Sequence, residues 1–151
     1  MDKIIEREIT IEAVAENYQR VKDFVRENLA AAGGDETVIM QACMAAEEIF
    51  TNIAYYAYDS DGADGKELTE GEKTAFIRLT ADPDKKELLL VFMDGGLRYD
   101  PLSREDPDIT APTRQRQVGG LGIFMTKQVM DEVSYEYRDG KNVLSMKKHW
   151  D

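Results

Sequence analysis

DGGLRYDPLSREDPDITAPTRQRQVGGLG, residues 94–122, lies between an apolar run and a helical pattern and has no periodicity of its own. Asp94-Gly95-Gly96 opens it and Gly119-Gly120-Leu121-Gly122 closes it. Such a long connection without structure is uncommon in a compact domain, and where one occurs it is usually a lid or a binding loop. The stretch from about 97 to 118 is read as a lid, with the two glycine clusters as its fixed ends.

The flanking sequence supplies the rest of the fold. Glu87 to Met93 and Thr74 to Thr80 read as strands, joined by Asp82-Pro83-Asp84-Lys85-Lys86, whose Pro and Asp suit a turn. After the lid, Leu121 to Met130 reads as a helix. Val133, Tyr135 and Tyr137 then alternate with Ser134, Glu136 and Arg138, the pattern of a strand with one wet face, and Asp139-Gly140 turns it into a last strand from Asn142 to about His149. Towards the N-terminus, residues 3 to 9 predict an edge strand with Ile5 and Ile9 on one side. Ile11, Val14, Tyr18, Val21, Val25 and Leu29 recur at three or four, which predicts a helix of about six turns from Ile11 to Ala32, stopped by Gly33-Gly34. Asp35 offers a cap to a second helix running to about Tyr58. The order strand, helix, helix, strand, strand, lid, helix, strand, strand predicts a two-layer α+β sandwich, with helices on one face of a mostly antiparallel sheet.

Composition narrows the function. At 151 residues the chain is one domain's worth and large enough for a core without staples. Its net charge of −11 argues against nucleic acid or an anionic membrane as the main partner, since both bind through clustered Lys and Arg. Cys43 is the single cysteine, no leader-like stretch opens the sequence, and no run nears the ~20 apolar residues of a membrane span, so a cytoplasmic protein is expected. Asp59, Asp61 and Asp64 in the acidic loop from Asp59 to Glu72 invite a calcium reading, but the glycine and the final glutamate miss the EF-hand offsets.

Three groups carry chemistry. On the second helix Ala42, Ala46, Ile49, Phe50, Ile53 and Ala57 form the core stripe, while Glu48 and Asn52, four apart, share one flank and Glu47 points to the other. A carboxylate beside a carboxamide on a helix edge is what places a general base near a metal-bound phosphate. Asp94 ends an apolar strand, where it can accept a hydrogen bond from a ring amine, and Gly96 lets backbone approach a flat ring. Gly120, Leu121 and Gly122 open a helix whose free amides and dipole favour an anion, with Arg114 and Arg116 just before it as candidates for a phosphate clamp.

Glu48-x-x-x-Asn52 on a helix, Asp94-x-Gly96 after a strand and Gly120-x-Gly122 opening a helix together resemble the GHKL superfamily of ATPases. More narrowly, Glu47 through Asn52, Asp94 through Pro101, and Gly120 through Phe124 continuing to Val133 are similar to the small bacterial anti-sigma regulatory serine/threonine kinases of the RsbW and SpoIIAB type. The resemblance spans nearly the whole chain. It implies a Bergerat fold with a mixed, mostly antiparallel sheet, ATP under the lid and Mg²⁺ bridging its phosphates. It also implies Glu48 as general base, Asn52 as magnesium ligand, Asp94 as acceptor for the adenine amine, and Gly96, Gly120 and Gly122 as shapers of the pocket. The implied partners are an anti-sigma-factor antagonist, whose serine or threonine is phosphorylated, and a sigma factor that the kinase sequesters. Family analogy offers a homodimer through the first helix and the open sheet face.

One departure is Tyr56, which stands where relatives commonly carry histidine four residues after the asparagine. Either Asn142 or Ser145 takes the polar role near adenine on the last strand. Two further classes compete with the kinase: a nucleotide-dependent binding switch with little turnover, and a detached histidine-kinase catalytic domain. The last is disfavoured because the one histidine, His149, is on the final strand.

Overall fold

The computed structural model describes residues 3–58, 70–103 and 120–151. Residues 59–69 of the acidic loop and residues 104–118 of the expected lid, with Arg114 and Arg116, lie outside the described residues; of the lid's described part, Pro101–Ser103 forms a 3₁₀ turn.

Among the described residues five strands form one sheet: β1 (Ile5–Glu12), β2 (Thr74–Asp82), β3 (Glu87–Asp94), β4 (Glu132–Arg138) and β5 (Lys141–His149), in the order β1-β2-β3-β5-β4. Each of the four pairings is antiparallel, so the mixed character expected of the sheet is absent among the described residues. The described α-helices, α1 (Tyr18–Ala31), α2 (Glu36–Asn52) and α3 (Gly120–Val129), pack on one face and share a buried cluster with it. The strands alternate accordingly. Ile77, Leu79, Leu88, Leu90, Phe92 and Met146 are fully buried towards the helices, while Phe76, Leu89, Val91 and Met93 on the other face are half-buried.

The first helix starts later than its periodicity suggests. Ile11 belongs to β1, paired with Ala75, and Ala13 extends that pairing through its amide to the Lys73 carbonyl. A single 3₁₀ turn (Ala15–Asn17) then leads into α1, which has 14 residues, about four turns rather than six. Ile11 satisfies the strand alternation of Ile5 and Ile9 as well as the helical spacing to Val14, and pairing to β2 decides between them. Gly33 ends the helix at φ +91°, the left-handed region that glycine reaches without a steric penalty.

Asp35 caps α2 as expected, its Oδ1 accepting from the Val38 amide at 2.8 Å. The helix continues through a π turn (Ile53–Ala57) to Tyr58, which matches the expected end although the last turn is wider. Single π turns of this kind recur at functional sites. The β4–β5 hairpin turns on Asp139 and Gly140, both at positive φ, as a type I′ connection requires.

At the far end of the sheet, His149 ties three elements together. Its Nε2 lies 2.8 Å from Glu87 Oε2 at the start of β3, and its Nδ1 lies 3.1 Å from Asp131 Oδ2 between α3 and β4. Lys148 adds a bond to the Val129 carbonyl at 2.6 Å. Hydrogen bonds to Asp131 and then Glu87 hold the imidazole pKa above its ordinary value. A raised folded-state pKa adds stability that is full below the unfolded value, about 6.5, and is lost as pH rises through the folded one. The melting-temperature gap between the parent and His149→Gln is therefore expected to be widest at pH 6 and to narrow by pH 9. The ring is exposed, so the gap is a few degrees at most. An equal gap at both pH values would show that the contact is made by a neutral ring.

Candidate functional site

The apolar stripe of α2 turns Ala42, Ala46, Ile49, Phe50, Ile53 and Ala57 into the core and leaves Glu48 and Asn52 half-buried on one flank. Asn52 Nδ2 donates to Glu48 Oε1 at 2.8 Å and to the Glu48 carbonyl at 2.7 Å. Its Oδ1 takes no donor among the described residues, and Asn52 lines the adjoining cleft. Glu47 faces the opposite flank and pairs with Lys22 of α1 at 3.5 Å. The four-residue spacing thus separates the two adjacent glutamates as predicted.

The first turn of α3 lies over the same carboxylate. A methyl group on Gly122 would sit 2.0 Å from the Glu48 carboxyl carbon, so the glycine makes room for that group. Thr126, fully buried, donates its hydroxyl to the Gly122 carbonyl at 2.9 Å and holds this turn in place. Leu121 is exposed beside it.

Asp94, at the end of β3, is 7% exposed. Its Oδ1 accepts from the Gly96 amide at 3.0 Å and from Asn142 Nδ2 at 2.9 Å. Burial raises its pKa, opposed by these two bonds and by the charge of Lys141. Oδ2 takes no donor among the described residues. Asp94 lines a narrow cleft with apolar walls from Ile49, Ile53, Phe92 and Leu144, and Asn52 is part of the same lining. A mostly apolar cleft with a few convergent polar groups is the usual form of a small-molecule site.

The turn after Asp94 is braced by the end of α2. Tyr58 donates its hydroxyl to the Thr74 carbonyl at 2.7 Å and accepts from the Gly95 amide at 2.9 Å. The Leu97 amide donates to the Ala57 carbonyl at 3.1 Å. A side chain on Gly96 would point at that carbonyl, with Cβ 2.1 Å from the oxygen. Glycine here lets the turn touch the helix end, a packing reason that the sequence reading, which aimed it at a ring, did not include.

Register places Asn142 and Ser145 on opposite faces of the sheet. Asn142 is opposite Asp94 on the core side and is buried, whereas Ser145 is opposite Val91 and Ser134 on the other face. Asn142 lies two residues past a Asp139-Gly140 turn at a core-facing place in the alternation with Leu144 and Met146, and that polar residue among buried apolar ones was the available signal. Tyr56 is exposed and lines a shallow groove with Glu48 and Asn52. Tyr58, Thr126 and Tyr135 were not singled out by the sequence reading.

A two-layer sandwich with an apolar cleft between α2 and the ends of β3 and β5, and with Asp94 and Asn142 in its wall, has the architecture of an ATP-binding domain of the GHKL type. The model of the family described as histidine kinase-like ATPase domain matches residues 11–148, and the chain belongs to that family. Serine/threonine-protein kinase BtrW of Bordetella bronchiseptica is similar to it, 30% identical over 106 residues that cover 70% of this chain and 67% of BtrW. The structure of the RsbU and RsbW domains of Rv1364c from Mycobacterium tuberculosis shares the fold, with a TM-score of 0.65 at 16% identity over 96% of this chain. This chain spans about a third of that one, 32%. No helix among the described residues is long and apolar enough to cross a membrane.

Proposed function

We propose that this domain is a serine/threonine-protein kinase that phosphorylates an anti-sigma-factor antagonist and sequesters a sigma factor. The Glu48–Asn52 pair carries the reading: a half-buried carboxylate, fixed by a neighbouring amide and seated under the first turn of α3 beside the cleft. Similarity to a named serine/threonine-protein kinase supports it.

Asp94 and the apolar walls suit a purine, with Oδ2 as the free acceptor. Asn52 Oδ1 offers one oxygen beside the cleft. That suits Mg²⁺, which is held by one or two protein oxygens together with substrate phosphates and water. When bound, Mg-ATP supplies the phosphoryl group and the charge neutralisation its transfer needs. Gly120, Leu121 and Gly122 at the α3 start are assigned to the phosphates, and Arg114 and Arg116 are kept as candidates for the clamp. Glu48 takes the proton of the attacking hydroxyl, its orientation set by Asn52 at Oε1.

Partners captured from the source cell with and without ATP, then assayed for phosphoserine and phosphothreonine, test this. ATP-dependent capture with phosphorylation is expected. Capture without phosphate transfer would favour a nucleotide-gated binding switch, a reading to which Tyr56, an exposed phenol in place of an imidazole beside Glu48, lends weight. A smaller experiment addresses the metal. Asn52→Ala should weaken Mg-ATP binding at least tenfold by calorimetry and leave Mg-free nucleotide binding nearly unchanged, and equal losses in both would remove the metal role.

A further inference from the structure

The outward side of α2 is not an ordinary solvated flank. Met40, Met44, Glu47, Thr51 and Tyr55 follow one another at spacings of four, three, four and four, which puts them in one stripe. Met40 and Tyr55 are each 60% exposed, and Met44 is half-buried. A helix face turned to water usually carries charge along its length, whereas here the charge is confined to the middle.

Three hollows run across that stripe. One lies between α2 and the turn before α1, where Glu16 and Tyr18 face Glu47, Thr51 and Tyr55. The second lies between α2 and α3, with Met44 and Met125 beside Glu47, Glu48 and Gly122. The third is lined by Glu48, Thr51, Asn52, Tyr55 and Tyr56. Thr51 is common to all three, so they make one groove, and Glu48 lines two of them. Among the described residues no lysine or arginine lines it, against the carboxylates of Glu16, Glu47 and Glu48.

Exposed methionine and tyrosine make an adaptable apolar surface, and carboxylates beside aromatic rings attract cations. The chain shows this with an ammonium of its own. Lys22 Nζ lies 3.5 Å from Glu47 Oε2 and 5.7 Å from the centroid of the Tyr18 ring.

We propose that this groove docks the phosphoacceptor segment of a protein partner, a stretch in which arginine or lysine and apolar side chains flank the accepting hydroxyl. This rests on the reading of Glu48 as general base. A segment lying along the hollows brings its hydroxyl to Glu48 while the rest of the partner stays outside the nucleotide cleft. Its basic side chains meet Glu16 and Glu47, and its apolar ones meet Met44, Met125 and Tyr55. Complementary charge of this kind selects the partner and speeds encounter.

Methyl-labelled methionine gives the test its probes by NMR of the whole chain: Met44 and Met125 in the groove, Met93 on the open sheet face and Met146 in the core. Two short peptides with a central serine are titrated, one with leucine and arginine on both sides, the other with glutamate in place of arginine. The arginine peptide is expected to move the Met44 and Met125 methyls, to leave Met93 and Met146 in place, and to bind roughly tenfold more tightly than the glutamate peptide. Glu16→Lys with Glu47→Lys should remove that preference. Glu6→Lys with Glu27→Lys, the same charge change at exposed sites that do not line the groove, should keep it. Equal affinity for the two peptides, equal effects of the two double variants, or no movement at Met44 and Met125 would overturn the proposal. Movement of those methyls on concentrating the protein alone would also overturn it, since a second copy would then cover the groove. Phosphate transfer from ATP to the serine peptide is measured separately: docking as expected without transfer supports the groove and counts against the kinase reading.

Discussion

Glu48→Gln is expected to bind ATP as tightly as the parent and to transfer phosphate to the captured partner 10²- to 10⁴-fold more slowly, roughly the range for loss of a positioned general base. The side chain keeps its shape, and its oxygen can still accept from Asn52 Nδ2, which donates to Glu48 Oε1 in the parent. What disappears is the capacity to take a proton. Transfer from γ-labelled ATP and a separate nucleotide titration read the two effects apart. Full-rate transfer would remove Glu48 from the chemistry, and lost ATP binding would make it part of the nucleotide site. Gly122→Ala offers a companion result by another route. Its methyl group would meet the Glu48 carboxylate at 2.0 Å, and that group is the end of a flexible side chain that can swing aside. Transfer should fall while the melting temperature hardly moves.

Gly96→Ala is expected to act on the fold. Its methyl group would lie 2.1 Å from the Ala57 carbonyl oxygen and 2.6 Å from the carbonyl carbon, both backbone atoms that no rotamer change can remove. The turn has to open, which strains the Leu97–Ala57 bond and the Gly96 amide's bond to Asp94. Overpacking of this kind costs about 3 kcal/mol. For a chain of this size that is a drop of roughly 6–12 °C in melting temperature. Gly95→Ala is the control, because its added carbon would find only the Tyr58 hydroxyl, at 3.9 Å. Equal melting temperatures for the two variants would mean that the turn is not pressed against the helix end.

Local features were legible in the sequence, and long-range ones were not. The Asp35 cap, the stripe on α2 and the placing of Glu48 with Asn52 all depend on residues within four of each other, where helical geometry leaves little choice. The start of α1 was set too early because Ile11 fits both periods, and only its pairing with Ala75 resolves them. Asn142 remained one of two options because its role depends on the β3–β5 register, across 48 residues. Tyr58 reaches Gly95 across 37 residues and left no mark in any local pattern.

The strand order has a consequence for how the domain comes into being. β5 is made after β4 yet inserts between β4 and β3, so Asp94 waits for a partner synthesised 48 residues later. Until that strand docks, the cleft lacks one wall and its acidic group lacks its neutral donor. Nucleotide capture is thus a late event on the ribosome's timetable, and a ligand that recognises the finished cleft also stabilises the assembled sheet against unfolding.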